Sequence, residues 1–343
     1  MLFNQYVKKK YKILQKIGAG GMGEVYRAND NVNKRDVAIK ILPAQLSHNE
    51  EVKKRFLREM VTCSKLSHEH VIEVYDYGQM KETLYYVMEH IDGKSVAQMI
   101  DADGAQPVEL ALLITRQILE ALEYIHENNL IHRDLKPSNI LVEQTPEKGT
   151  RAVLMDFGLV KAFDSQLTRT GRVLGTPRYI APEMLSQGKV DCRSDVFQMG
   201  VILYEMVTGD YAFKGSTRAE VARNCLTKEP EPASQLNPQV DVNLDNIIFN
   251  AMEKDPDERY ATAAEMLADI KAIQKGVKIY RRHVRRRTPT VSQKVPIVEA
   301  VEADDPSLID YLEDTGDGST PPWYLLVLIP VLLAPFILYG IYG

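Results

Sequence analysis

The chain has 343 residues, of which 45% are hydrophobic and 26% are charged, and its formal net charge is −5. This content is ordinary for a globular protein, and the length exceeds the roughly 250 to 300 residues at which one core stops growing, so we expect a globular unit with appended segments. Cys63, Cys192 and Cys225 lack the paired spacing of a disulfide framework or a zinc site, which excludes both classes and suits a reducing cytoplasm.

The first motif, Gly18-Ala19-Gly20-Gly21-Met22-Gly23, matches the pattern G-x-G-x-x-G, which dinucleotide-binding folds share. In those folds the glycines open a helix, and an acidic residue about twenty positions later binds ribose. Here residues 24–28 alternate in the manner of a strand, and the next predicted strand, residues 37–40, ends on Lys40. The context favours a loop whose backbone N–H groups approach nucleotide phosphates, with Lys40 neutralising the α- and β-phosphate oxygens.

A helix is predicted over residues 50–66. Val52, Phe56, Leu57, Met60 and Cys63 recur at steps of three and four residues, so one face is apolar. Lys40 has a long stem and needs a neighbouring carboxylate to hold it. Glu59, beside the apolar face, is the predicted partner, because Glu50 and Glu51 lie in the first turn, where acidic residues ordinarily complement the helix dipole.

The string His132-Arg133-Asp134-Leu135-Lys136-Pro137-Ser138-Asn139 is followed seventeen residues later by Asp156-Phe157-Gly158. Each tripeptide alone is a weak signal, but their order and spacing indicate phosphoryl transfer. Asp134 is predicted to accept a hydroxyl proton, and Asn139 and Asp156 to hold Mg²⁺. A hairpin of residues 140–142 and 152–154 is predicted to fix the separation of these groups.

From about residue 11 to residue 274 the chain resembles the eukaryotic-like (Hanks-type) serine/threonine protein kinases of bacteria. Beyond the motifs above, the resemblance rests on Arg58-Glu59, Leu66-Ser67-His68, the segment 175–183, the segment 195–200 and Arg259. It implies an α+β, two-lobed fold. The N-lobe, residues 1–89, would hold a small antiparallel sheet with one helix, and the C-lobe, residues 94–274, would be larger and mainly helical.

The same resemblance implies a role for each further site residue. The cofactors would be ATP and Mg²⁺, or Mn²⁺ in its place, and the partners protein substrates. Lys136 would reach the γ-phosphate, which indicates serine and threonine acceptors. Glu183 would pair with Arg259, and Asp195 would accept N–H bonds from the catalytic-loop backbone. The residues implied around the nucleotide base are Ile17, Val25, Ala38 and Leu141, the gatekeeper Met88, and the hinge from Glu89 to Ile91.

Arg133 precedes the predicted catalytic aspartate, and its guanidinium invites a phosphate on the activation segment. Thr168 and Thr170 lie in a polar stretch of that segment and resemble the paired autophosphorylation threonines of bacterial relatives. The alternative is that they are ordinary loop threonines. We expect their phosphorylation to switch the enzyme on by ordering the loop.

The C-terminal part separates its charges. Residues 275–298 hold eight Lys or Arg and no acid, and residues 299–322 hold eight Asp or Glu and no base, which predicts a solvated, disordered linker. The basic block could also lie on an anionic membrane surface. Nucleic-acid binding is disfavoured, because Tyr280 is the one aromatic residue among these cations.

The last 21 residues, 323–343, carry no charge and are long enough to cross a bilayer as a helix. Trp323, Tyr324, Tyr339 and Tyr342 lie near its two ends, where interfacial aromatic residues belong. We expect a single-pass protein of the cell inner membrane with its kinase part in the cytoplasm, where ATP is supplied. Confinement to the membrane would favour phosphorylation of one copy by another in a transient homodimer.

Two rival functions remain open at this level. A membrane-tethered pseudokinase would recruit partners without chemistry, but Lys40, Glu59, Asp134, Asn139 and Asp156 are all in place. A small-molecule kinase of similar fold is disfavoured by the complete segment 175–183, which in protein kinases shapes a peptide groove.

Overall fold

The structure is a computed structural model that describes residues 6–20, 23–42, 50–80, 83–145, 149–156, 177–186 and 190–281. The chain divides into two units, residues 1–295 and 296–343, and every described residue belongs to the first unit. Within that unit the expected two-lobed α+β arrangement is confirmed. An antiparallel sheet with one helix makes the N-lobe, and helices with a small second sheet make the C-lobe.

The N-lobe sheet has, among the described residues, six strands in the spatial order β1-β2-β3-β4-β6-β5. All neighbouring strands in it are antiparallel, and the predicted strands at residues 24–28 and 37–40 are confirmed. The strands are β1 (Tyr6–Val7), β2 (Tyr11–Gly20), β3 (Gly23–Asp30), β4 (Arg35–Ile41), β5 (Val74–Met80) and β6 (Thr83–Glu89).

Helix α1 (Glu50–Cys63) packs on one face of this sheet through Phe56 and Met60, which are buried. The helix ends three residues before the predicted end at residue 66. The backbone N–H of Leu66 bonds the carbonyl of Cys63 in a turn, and this turn buries the Leu66 side chain. The side chains of Val52 and Glu59 lie outside the described residues.

The second sheet has the order β7-β8-β9, with β7 (Gly93–Ser95), β8 (Ile140–Thr145) and β9 (Gly149–Leu154). The predicted hairpin between Asn139 and Asp156 is therefore confirmed, with Ile140 opposite Leu154 and Val142 opposite Ala152. Gln117 of helix α3 (Val108–Glu127) accepts a hydrogen bond from the Ala152 N–H at 2.7 Å and donates one to the Thr150 carbonyl at 3.0 Å. The hairpin is thus fixed to the helical lobe.

The C-lobe is built around helix α5 (Cys192–Thr208), in which every residue from Ser194 to Val207 is buried. A helix that is buried all round forms the centre of a lobe, because its neighbours cover every face. The other helices described in this lobe are α2 (Val96–Asp103), α3, α4 (Pro182–Ser186), α6 (Arg218–Thr227), α7 (Ala233–Leu236), α8 (Val242–Ala251) and α9 (Ala263–Ile273).

The first residues of the predicted linker are not free of the C-lobe. On α8, Asn246 and Asn250 donate side-chain hydrogen bonds to the carbonyls of Ile279 and Tyr280, at 2.9 and 3.1 Å. Arg281 pairs with Glu229 at 2.7 Å and is 35% exposed. The predicted linker therefore begins with residues that contact the C-lobe, and its disorder further along the chain stays a prediction.

The predicted linker from residue 282 onward and the predicted membrane helix, residues 323–343, lie outside the described residues. Among the helices that the structure does describe, none combines the length and the apolar character needed to cross a bilayer.

Candidate active site

The loop that carries Asp134 is held by the buried helix α5. Asp195 is fully buried and accepts hydrogen bonds from the backbone N–H groups of His132 at 2.8 Å and Arg133 at 2.9 Å. Gln198, one turn further along α5, accepts the N–H of Leu135 at 3.1 Å. The predicted bracing role of Asp195 is confirmed, and it fixes the backbone of the loop rather than any reacting atom.

Asp134 lies at the centre of the loop and is 4% exposed. The ammonium group of Lys136 donates to its Oδ2 at 3.0 Å. The amide nitrogen of Asn139 donates to the Asp134 carbonyl at 2.8 Å, which leaves the amide oxygen of Asn139 directed elsewhere. The structure thus brings three of the predicted site residues into one cluster and presents a carboxylate, an ammonium and an amide oxygen together.

Asp156 joins this cluster through the backbone. The N–H of Met155 donates to the carbonyl of Asn139 at 2.8 Å, so the two predicted metal ligands are tied together at the open end of the β8–β9 hairpin. Asp156 and Arg133 both have positive φ angles, 51° and 66°. Such conformations cost on the order of 1–3 kcal/mol for non-glycine residues and concentrate at functional sites, where surrounding contacts enforce them.

Lys40 of β4 meets Asp156 across the cleft, with 2.6 Å between Nζ and Oδ2. Lys40 is 6% exposed, so this pair is largely withdrawn from solvent. Burial alone raises the pKa of Asp156, but the charge and hydrogen bond of Lys40, with a hydroxyl from Tyr86, hold that pKa below its ordinary value. The carboxylate therefore remains ionised, as a metal ligand must. The predicted pairing of Lys40 with Glu59 stays a prediction, because the Glu59 side chain is outside the described residues.

Tyr86 is a site residue that the sequence motifs do not predict. Its hydroxyl donates to Asp156 Oδ1 at 2.7 Å. The signal was present, because Tyr86 precedes the predicted gatekeeper Met88 by two residues, and residues two apart in a strand share one face. In the β4–β6 pairing, Lys40 faces Tyr86 and Ala38 faces Met88.

Three of the predicted adenine residues, Val25, Ala38 and Met88, lie on the same face of the sheet as Lys40 and Tyr86. Val25 of β3 is the pairing partner of Lys40, and Ala38 and Met88 are buried. Ile17 on β2 is 44% exposed. Leu141 of β8 is partly buried and packs against the main core from the C-lobe side. The predicted hinge from Glu89 to Ile91 follows β6 and leads to β7.

Arg151 of β9 ties the hinge to both lobes. Its NH1 donates to Glu89 Oε1 and to Glu143 Oε1, each at 2.8 Å, and its Nε donates to the Glu69 carbonyl at 2.9 Å. The Glu89 side chain is therefore engaged behind the hinge, and the Glu89 backbone N–H donates to the Glu73 carbonyl at 2.9 Å.

Gly18 and Gly23 of the glycine loop differ in whether the fold itself requires glycine. At Gly23, φ is +117° and an added Cβ would lie 2.1 Å from the Ile41 carbonyl oxygen, so the fold itself requires glycine. At Gly18 a Cβ would meet Val25 Cβ at 3.7 Å, an ordinary van der Waals contact. The fold therefore leaves room for a Cβ at Gly18, so packing does not require glycine there, and the predicted approach of nucleotide phosphates stays the reason for it.

We expect Gly18→Ala and Gly23→Ala to separate ligand binding from folding. Gly18→Ala should leave the thermal midpoint near that of the unmodified chain and weaken ATP binding. Gly23→Ala should lower the free energy of unfolding by at least about 1–3 kcal/mol, because strain at positive φ adds to the clash with Ile41. Thermal unfolding and calorimetric titration with ATP check both variants. Equal loss of stability in the two would contradict the assignment of Gly18 to ligand binding and of Gly23 to folding.

The segment between Asp156 and Pro177 lies outside the described residues, and with it lie Thr168, Thr170 and the residues from Phe157 to Thr176. Where description resumes, the predicted pair is confirmed. Arg259 donates to both carboxylate oxygens of Glu183 at 3.1 Å, and the two residues are 2% and 8% exposed. Arg133 is exposed, and no described residue supplies its guanidinium with an anionic partner.

The residues fit a nucleotide with its metal. Mg²⁺ prefers oxygen ligands and is usually bound in proteins through one or two side chains together with phosphates and water. Asn139 and Asp156 offer such oxygens, and among the described residues no cluster of three or more His, Cys, Asp or Glu side chains forms a self-sufficient metal site. The site therefore suits a cation that arrives with phosphate oxygens.

Comparison with known proteins agrees with this geometry. Residues 11–270 match the family model described as the protein kinase domain. The chain is 36% identical over 277 residues to serine/threonine-protein kinase PknB of Mycobacterium leprae, covering 79% of this chain and 44% of the relative. It is 35% identical over 304 residues to serine/threonine-protein kinase PrkC of Bacillus subtilis, covering 88% and 46%. The chain thus spans less than half the length of these relatives.

Solved structures agree on the fold. The crystal structure of the Mycobacterium tuberculosis PknI kinase domain has a TM-score of 0.64 and 25% identity, covering 79% of this chain and 99% of that one. Rad53 residues 1–466 in complex with AMP-PNP has a TM-score of 0.64 and 27% identity, covering 76% and 64%.

Proposed function

Since the chain belongs to the protein kinase family, we propose that it is a serine/threonine protein kinase that transfers the γ-phosphate of ATP to protein hydroxyl groups. The observation that carries the proposal is the cluster of Asp134, Lys136 and Asn139, tied by one backbone hydrogen bond to the residue preceding Asp156. Lys40 reaches Asp156 from the other lobe. Two predicted metal ligands, two cations and one carboxylate that can act as a base suit phosphoryl transfer.

In this proposal Asp134 accepts the proton of the acceptor hydroxyl and orients that hydroxyl for attack. Lys136, already 3.0 Å from Asp134, neutralises charge on the transferred group, and Lys40 neutralises the α- and β-phosphates. Asn139 and Asp156 would hold Mg²⁺, which would add to the neutralisation of the phosphate oxygens. The protein contributes positioning and electrostatic stabilisation, so no covalent enzyme intermediate is required.

For the base of ATP we propose a slot between the lobes. Val25 and Ala38 with Ile17 would cover one side and Leu141 the other, with Met88 at the back. The backbone of Glu89 and Ile91 would bind the base edge, an arrangement supported by the way Arg151 occupies the Glu89 side chain.

Two observations support serine and threonine as the acceptors. Lys136 contacts Asp134, and the similar proteins PknB and PrkC are named serine/threonine-protein kinases. The test is incubation of the full chain with labelled ATP, Mg²⁺ and a generic protein substrate, followed by phosphoamino-acid analysis. Label on serine or threonine supports the proposal. Label on a small molecule alone would favour a small-molecule kinase, and ATP binding without transfer would favour a pseudokinase that recruits partners.

We propose activation by phosphorylation of Thr168 or Thr170, supported by the exposed Arg133 beside the catalytic aspartate. A phosphate within reach of this guanidinium would form charge-assisted hydrogen bonds and order the segment. Phosphorylation in trans within a transient homodimer would deliver the first phosphate.

We expect Thr168→Ala combined with Thr170→Ala to lower transfer to an added substrate several-fold. Arg133→Gln should cause a similar loss, and combining all three changes should cause no more, because residues that act through one contact are not additive. Thr227→Ala, at an exposed site on α6, is the control. Full activity in the double alanine variant would refute the switch.

We further propose that residues 323–343 anchor the protein in the cell inner membrane, with the kinase part in the cytoplasm. The support is the 21-residue length without charge and the aromatic residues near both ends. Arginine in place of Leu332 and Leu333 should release the chain into the soluble fraction after ultracentrifugation, because each arginine at mid-bilayer costs about 2.5–3.5 kcal/mol. Retention in the membrane fraction would contradict the anchor.

A further inference from the structure

The hydroxyl of Tyr86 is directed at the proposed metal ligand. Tyr86 is 4% exposed, and its hydroxyl donates to Asp156 Oδ1 at 2.7 Å, while Lys40 Nζ lies 2.6 Å from Oδ2. Each carboxylate oxygen is therefore held by one residue of the N-lobe sheet. Lys40 and Tyr86 are direct partners in the β4–β6 pairing, so the two donors leave the same face of the sheet side by side.

The Tyr86 ring is held by its surroundings. Its centroid lies 6.4 Å from that of Phe56 on α1 and 6.0 Å from the Lys40 ammonium group. A tyrosine ring has few rotatable bonds, so a packed ring places its hydroxyl with little freedom. The hydroxyl is the donor in the 2.7 Å hydrogen bond to Asp156 Oδ1.

Lys40 and Tyr86 hold Asp156 in different ways. Lys40 has a flexible four-carbon stem and, in the proposed function, must also serve the nucleotide phosphates. Among the described side chains, the Tyr86 hydroxyl donates to Asp156. Asp156 has a φ of 51°, a conformation that persists only where surrounding contacts enforce it.

We propose that Tyr86 is a positioning residue for metal binding, which rests on the proposed kinase function. A carboxylate oxygen has two lone-pair sites, so Oδ1 accepts the Tyr86 hydrogen bond and still has one site for a cation. The hydroxyl fixes the orientation of the carboxylate, as partners behind metal ligands generally do, and losing such a partner typically lowers metal affinity 10- to 100-fold. Tyr86 itself touches neither metal nor nucleotide.

Phenylalanine at this position tests the hydroxyl alone. Tyr86→Phe keeps the ring and its contact with Phe56. Tyr85→Phe is the matched control, because Tyr85 is the preceding residue on the same strand, is 2% exposed, and packs in the separate core cluster on the other face of the sheet. Tyr86→Met, which is apolar and fills the same region, provides a second variant should the phenylalanine variant unfold.

The measurement is calorimetric titration of the full chain with ATP, once with Mg²⁺ and once with a chelator. In the unmodified chain, Mg²⁺ should tighten ATP binding. Tyr86→Phe should reduce this metal-dependent gain on the order of tenfold and leave metal-free ATP binding unchanged, while Tyr85→Phe should change neither. Turnover measured against Mg²⁺ concentration should show a raised requirement for Mg²⁺ and a maximal rate that largely recovers at saturation.

Three other outcomes would contradict either the positioning role of Tyr86 or the proposed kinase function. A metal-dependent gain in Tyr86→Phe equal to that of the unmodified chain would overturn the positioning role alone. If Tyr86→Phe weakened ATP binding equally with and without Mg²⁺, the hydroxyl would have a packing role, and the positioning role would again be overturned. Absence of ATP binding by the unmodified chain would overturn the proposed function, and the role of Tyr86 with it.

Discussion

Replacing Asp134 by asparagine is expected to lower phosphoryl transfer by about 10²- to 10⁴-fold, the usual contribution of a positioned general base. Asparagine has nearly the same shape but cannot accept the hydroxyl proton. It also replaces the anion that Lys136 contacts at 3.0 Å, so that the ammonium group loses its charged partner. Transfer of label from ATP to an added protein substrate measures the loss.

Asp103→Asn is the matched control, because it removes the same charge from an exposed position near the end of α2. This control should keep full activity. Calorimetric titration should show that Asp134→Asn still binds ATP, since Asp134 is not among the residues proposed to hold the nucleotide. Retained transfer in Asp134→Asn would mean that the chain uses another base, and loss of ATP binding would mean that the change disturbed the cleft.

The second large effect is expected on stability rather than catalysis. Arg259→Met should lower the free energy of unfolding by about 3–5 kcal/mol, because it leaves the buried carboxylate of Glu183 without its cation. Arg259 also donates to the backbone carbonyls of Glu253 and Arg193, at 3.1 and 2.7 Å. Those carbonyls would lose a partner as well. Denaturant unfolding followed by fluorescence or circular dichroism measures the change.

Arg193→Met is the control for the buried pair. Arg193 is 27% exposed and pairs with Asp191 and with the exposed Asp257, and pairs of this kind contribute about 0–1 kcal/mol. A double variant, Glu183→Leu with Arg259→Met, should recover part of the stability, because it removes the uncompensated charge. Equal losses of unfolding free energy in Arg259→Met and Arg193→Met would contradict the claim that burial makes the Glu183–Arg259 pair more important for stability than an exposed pair.

The Glu183 pair also has a defined pH dependence. Burial raises the pKa of Glu183, but the hydrogen bond and charge of Arg259 outweigh it and hold that pKa below its ordinary value of 4.5. The unfolded chain then binds a proton before the folded chain does as pH falls. The contribution of the pair is therefore complete above about pH 4.5 and is lost as pH decreases through the lower pKa of the folded state.

Local pattern was enough to predict the elements around the site. Strand alternation placed Val25 and Lys40 on strands, and the spacing between Asn139 and Asp156 predicted the hairpin that the structure contains. These predictions succeed because side-chain periodicity and turn geometry act over a few residues. The predicted end of α1 lies three residues beyond the observed end. The chain leaves the helix in a turn that buries Leu66, and the apolar period does not signal this turn.

The order and type of the catalytic groups were thus determined by the sequence, since Asp134, Asn139 and Asp156 can be read from their spacing. The tertiary structure alone decided which distant side chains support them. Tyr86 and Asp156 are 70 residues apart, Arg151 and Glu89 are 62 apart, and Asn246 binds the backbone of a residue 33 positions away. No short-range period encodes such pairs, because each forms only when tertiary packing closes the long loop between its members.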